Sequence, residues 1–104
     1  MNCTSEYDFT IIVPVYNERE NIARLEEAFR SYLPGASRRT CVLFIDDGST
    51  DDSLALLQQA CGRNRDFHYL AFECNAGLSA AIKAGIDHAE SPLVGYIDAD
   101  LQTT

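Results

Sequence analysis

Acidic residues recur in this sequence just after short apolar runs. Glu18 closes Pro14-Val15-Tyr16-Asn17-Glu18 after the run 9–13, and Asp46 and Asp47 open Asp46-Asp47-Gly48-Ser49-Thr50-Asp51 after the run 41–45. Asp98 and Asp100 follow the run 93–97, and Glu73-Cys74-Asn75-Ala76-Gly77 follows the run 67–72. If the runs are parallel strands, all four segments lie at one sheet edge, where open α/β sheets bind ligands. Glu18, Asp46, Asp47, Asp98 and Asp100 are then expected to share a crevice. Two unit charges about 4 Å apart repel by roughly 4 kcal/mol at an effective dielectric near 20, so such a set calls for protonated carboxyls or a cation. Oxygen-only donors select a hard ion, Mg²⁺ or Mn²⁺. Asp98 and Asp100 stand two apart, which on an extended chain turns both to one face. That spacing suits a metal that neutralises a departing diphosphate.

The other residues of these segments suit a nucleotide. Tyr16 offers a ring for a base to stack on. Glu18 or Asp47 can accept hydrogen bonds from a base or a ribose. Gly48 permits a tight turn, and the helix start beyond it presents free N–H groups to an anion.

The elements that must position these residues are legible. The four apolar runs are near-continuous, as expected of parallel strands buried on both faces; Pro14 is expected to stop the first. Between them the period becomes helical. Ile22, Leu25, Phe29 and Leu33 share one stripe, Leu54, Leu57 and Cys61 a second, and Leu78, Ile82, Gly85, Ile86 and Ala89 a third. Asn17 with Glu20, and Ser49 with Asp52, read as capping boxes. Pro34 with Gly35, Gly62 and Pro92 read as helix stops. The expected fold is α/β: a parallel Rossmann-like sheet of four strands and three helices with right-handed crossovers. Residues 1–8 are expected to be a flexible tail, and 9–104 the domain proper.

Composition narrows the partners. Eight Lys and Arg against 16 Asp and Glu give a net charge of −8, which argues against nucleic acid and against an anionic-membrane patch. No apolar stretch approaches the roughly 18 residues of a membrane helix, and the N-terminus lacks the plan of a secretory signal. The four cysteines form no C-x-x-C pair, so they are read as free thiols in a reducing compartment. A cytoplasmic location is expected, with membrane association only through other parts of a longer protein. His68, His88 and Lys83 are read as structural or surface residues.

Val13-Pro14-Val15-Tyr16-Asn17-Glu18, Asp46-Asp47-Gly48-Ser49-Thr50-Asp51, Asn75-Ala76-Gly77 and Asp98-Ala99-Asp100-Leu101-Gln102 together resemble the start of family 2 glycosyltransferases with the GT-A fold. The last segment is most similar to the polyprenyl-phosphate sugar transferases. The resemblance implies that Pro14, Tyr16 and Glu18 contact the nucleotide base and that Ile45 and Asp47 complete the base and ribose pocket. It implies that Asp98, Ala99 and Asp100 form the D-x-D motif, holding a divalent metal and the diphosphate as catalytic and binding residues, with Gln102 joining the metal site. Cys74 departs from relatives that carry Arg before Asn-x-Gly. The implied substrates are a nucleoside diphosphate sugar and a lipid-phosphate or glycan acceptor. The implied catalytic domain is about twice this length, so the chain is expected to be its N-terminal part, without the acceptor site and inactive alone. Strand four is expected beside strand one with an apolar free edge that invites self-association.

Two other readings compete. A non-catalytic nucleotide- or metal-binding module would share the fold. A phosphoacceptor receiver domain would also cluster acids at strand ends, but it expects an acid pair after strand one and a lone Asp after strand three, where this chain has Tyr16-Asn17-Glu18 and Glu73-Cys74-Asn75. Read without function, Asp46-Asp47 is a turn with a helix cap, and Asp98 and Asp100 are a solvated tail.

Overall fold

The computed structural model describes residues 6–97. β1 (Phe9–Val15), β2 (Thr40–Asp46), β3 (Phe67–Ala71) and β4 (Leu93–Tyr96) form one parallel sheet in the order β3-β2-β1-β4. The connections are α1 (Ile22–Tyr32), α2 (Ser53–Arg63) and α3 (Leu78–His88), with one 3₁₀ turn at Leu33–Gly35 after α1.

Alternation along the two central strands builds a core on each face. Ile11, Val13, Val15, Val42 and Phe44 meet Ile22, Leu25 and Phe29 of α1 and Leu57 and Ala60 of α2. Ile12, Leu43 and Ile45 point the other way and meet Ala81 of α3. β2 is buried at all seven positions, which is why its sequence reads as an unbroken apolar run. Phe29, Phe44 and Phe67 pack edge to face, with ring centroids 5.5 to 6.3 Å apart.

Several expectations are corrected. Pro14 does not stop β1. Ile12 C=O accepts from Ile97 on the β4 side and Val15 C=O from Asp47 on the β2 side. Pro14 therefore turns its missing N–H toward β4, past the last pair, Ile12 with Tyr96, so no ladder bond is lost. α3 buries Ala81 and Gly85, while Leu78 and Ile86 are 55% and 52% exposed. The small residues face the sheet because the helix backbone sits directly on Ile12. A Cβ at Gly85 would lie 2.8 Å from Ile12 Cγ2.

The two capping boxes do not form. α1 starts at Ile22 behind Asn21 and α2 at Ser53 behind Asp52, and neither cap residue makes a side-chain capping bond. Gly62 does not end α2, which runs to Arg63. Of the expected tail 1–8, residues 1–5 lie outside the described residues, and 6–8 are tied to the domain. Tyr7 is buried, donates its hydroxyl to Asp66 Oδ1 at 2.6 Å and carries Arg39 over its ring. Cys41, Cys61 and Cys74 are free thiols. Burial pushes the Cys61 thiol up to about 11. Among the described residues, no helix is long and apolar enough to cross a membrane.

Candidate functional site

The parallel register brings the ends of β1 and β2 level, Val15 opposite Asp46, and Asp46 opposite Ala71 of β3. The βα loops 16–21, 47–52 and 72–77 therefore leave the same edge of the sheet.

Asp47 ties the second loop to the third. Its carboxylate is 4% exposed. Oδ1 accepts from Ala76 N at 2.7 Å, and Oδ2 accepts from Gly77 N and Asn75 Nδ2, each at 2.9 Å. Two of these donors are backbone amides just ahead of α3, so the carboxylate sits at the positive end of that helix. Gly48 makes the approach possible. Its φ is +69°, and a Cβ there would lie 2.3 Å from the Cys74 carbonyl carbon.

Asn17 ties the first loop to the second. Its φ is +52°, a conformation that Asn tolerates better than most residues. Its amide donates to Ser49 Oγ at 2.9 Å, and its Oδ1 accepts from Thr50 N at 2.8 Å, Thr50 Oγ1 at 3.3 Å and Asp51 N at 3.3 Å. Glu18 N donates to Ser53 Oγ at 2.9 Å. The Ser53 hydroxyl beside Asp51 holds that carboxyl below its usual range.

Among the described members of the expected carboxylate set, Glu18, Asp46 and Asp47 each turn to a different partner, and Asp98 and Asp100 lie outside the described residues. Glu18 accepts from Asn21 Nδ2 at 2.7 Å through Oε1. Asp46 is 1% exposed, takes a long contact of 3.4 Å from Ser49 N on Oδ2, and leaves Oδ1 buried without a partner. Asp46 thus turns to its own loop while Asp47 turns to residues 75–77. Backbone and side-chain amide donors answer the Asp47 charge. Among the described residues, no three His, Cys, Asp or Glu side chains gather as metal ligands. Asp98, Ala99, Asp100 and Gln102 lie outside the described residues. As side-chain donors, Asp98, Asp100 and Gln102 supply oxygens alone, which fits a hard divalent cation.

The other expected contacts divide. Tyr16 is 45% exposed at the edge, open to a ligand. Pro14 is half-buried. Ile45 is fully buried against Ile12, Leu43 and Ala81, so its side chain is closed to a ligand and supports the loop from beneath. Sequence reasoning missed Asn21 and Ser53 as partners of Glu18, and gave Asn75-Ala76-Gly77 no contact of its own. The available signal was a run of small polar residues after each strand, which suits bonds between loops as well as helix caps.

The chain belongs to glycosyl transferase family 2, whose model matches residues 10–104. It is 37% identical over 94 residues to the undecaprenyl-phosphate 4-deoxy-4-formamido-L-arabinose transferase of Pseudomonas savastanoi pv. phaseolicola, covering 89% of this chain and 28% of that one. The enzyme of the same description from Salmonella choleraesuis is 36% identical over 95 residues, with 89% and 29% covered. The chain thus spans less than a third of these relatives' length. Among solved structures, the mannosyltransferase PcManGT from Pyrobaculum calidifontis, in complex with GDP-Man and Mn²⁺, superposes with TM-score 0.76 at 26% identity, covering 90% of this chain and 28% of that one. S. aureus TarS 1–349 in complex with UDP-GlcNAc gives 0.76 at 26%, with 89% and 26% covered.

Proposed function

We propose that the chain forms the donor-nucleotide part of a glycosyltransferase that takes a sugar from a nucleoside diphosphate and passes it to a lipid-phosphate or glycan acceptor. The observation that carries this reading is the joining of three βα loops into one rim on which Tyr16 is half-exposed and Glu18 Oε2 takes no hydrogen bond from the described residues. Tyr16 stacks on the base, and Glu18 Oε2 accepts from a base or ribose donor. Asp47 spends three acceptor positions on residues 75–77 and keeps one of the roughly four a carboxylate has, so its main task is to hold the rim. Pro14 lines the base side, and Ile45 backs it. Ala99 accompanies Asp98 and Asp100, which with Gln102 would hold Mg²⁺ or Mn²⁺. When bound, that ion would neutralise charge on the diphosphate. The solved relatives that hold GDP-Man with Mn²⁺ and UDP-GlcNAc support the substrate class.

Calorimetric titration of GDP, UDP and their sugars, with and without Mn²⁺, tests the reading. Metal-dependent affinity that is lost in Asp100→Ala is expected. Binding indifferent to both the metal and Asp100 would contradict it. Binding without sugar transfer in a longer chain would favour the non-catalytic module.

A further inference from the structure

Between Tyr16 and Glu18, the two side chains offered to the nucleotide, stands a residue with no ligand-facing task of its own. We infer that Asn17 is a positioning residue, whose Oδ1 fixes the β1 loop against the β2 loop and so sets where Tyr16 and Glu18 present themselves; the inference rests on the nucleotide reading above.

Asn17 Oδ1 gathers three donors from Thr50 and Asp51, and every one of them needs an acceptor. The Asn17 amide returns a bond to Ser49 Oγ, closing a ring of contacts across two loops 32 to 34 residues apart in sequence. The left-handed φ of Asn17 bends the chain there. Tyr16 on one side is left half-exposed, and Glu18 on the other is drawn back by Ser53. Among the described residues no hydrogen bond or ring contact holds the Tyr16 side chain, so the backbone of the residue beside it sets its direction. A rim held in this way keeps its binding geometry before the ligand arrives, which spares the ordering cost on binding.

Three substitutions separate the side chain's bonds from its backbone preference. Asn17→Asp keeps an acceptor in the same place. Asn17→Gly keeps the φ and removes the acceptor. Asn17→Ala removes the acceptor and adds the cost of a left-handed backbone. Titration of GDP and of UDP, each with Mn²⁺, into the whole chain is run beside amide hydrogen exchange at Thr50 and Asp51. Asn17→Asp is expected to bind within about threefold of the unsubstituted chain, and Asn17→Gly at least about tenfold more weakly. Exchange at Thr50 and Asp51 should quicken in Asn17→Gly and Asn17→Ala only, with all variants folded at the titration temperature. A purely structural role would lower the melting temperature of Asn17→Gly and leave the affinity of its folded form unchanged.

Asn17→Gly binding as tightly as the unsubstituted chain overturns the inference, as does unchanged exchange at Thr50. An unsubstituted chain that binds neither nucleotide overturns the nucleotide reading and the inference with it. The two failures are therefore told apart by the first titration.

Discussion

Asp47 Oδ1 lies 2.7 Å from the amide nitrogen of Ala76, across 29 residues of sequence, and Oδ2 lies 2.9 Å from that of Gly77. One buried carboxylate thereby fixes the start of α3 to the end of β2. Asp47→Ala leaves two amides and the Asn75 carboxamide without their acceptor. It should lower folding stability by about 2–4 kcal/mol, read by urea denaturation. A loss under about 1 kcal/mol would mean that water replaces the carboxylate.

Gly48 and Gly62 should respond in opposite directions to the same change. Gly48→Ala drives a methyl into the Cys74–Asn75 backbone at positive φ, and should cost about 2 kcal/mol or more. Gly62 lies inside α2 with open space around its Cα. Gly62→Ala should stabilise by about 0.5–1 kcal/mol. Thermal melts of the two variants check both signs.

Stability should fall in acid. Glu26 joins α1 to α2, accepting from Arg63 Nε at 3.1 Å, Arg63 Nη2 at 2.8 Å and Asn64 Nδ2 at 2.7 Å. The Arg63 hydrogen bonds hold its carboxyl below the usual range. A carboxyl with a depressed folded value contributes stability above its unfolded value and loses it as pH falls through the folded one. Burial also lowers His68, so the unfolded chain takes that proton first and the sign is the same. Urea midpoints measured from pH 7 downward should fall, and less steeply in Glu26→Gln. Parallel pH profiles for the two proteins would contradict the assignment.

β4 pairs only with β1 among the described residues, and it exposes Leu93, Val94 and Tyr96 at 43%, 38% and 55%. An uncharged edge strand invites pairing with another copy. Sedimentation velocity should show concentration-dependent association, relieved in Val94→Lys. A single monomeric species up to high concentration would count against it.

The strands and α1 were legible because each buries large apolar residues at its own period: β2 without a break, and α1 along Ile22, Leu25 and Phe29. α3 was legible as a helix but not in its buried face, because periodicity weights Leu78 and Ile86 above Ala81 and Gly85. The close seat on Ile12 reverses that weighting. At the candidate site, the residue types were legible and their partners were not. Asn17 and Ser49 have the side chains of helix caps, yet they bond to each other's loops. The Asp47 carboxylate was visible, but the amides that answer it arrive from a strand and a loop away, and local pattern carries no record of them.

Nucleotide and metal are expected to arrive together at the carboxyl edge of the sheet. NMR spectra of the chain with GDP or UDP, recorded as Mn²⁺ is added, test this through the ion's paramagnetic broadening. The molecule extends 35 × 33 × 26 Å, far enough to separate its two ends. Broadening first at the amides of Asn17, Ser49 and Ala76, with Arg39 and Arg65 still sharp, is the predicted result. Broadening centred on Arg39 and Arg65, or none that depends on the nucleotide, would contradict it.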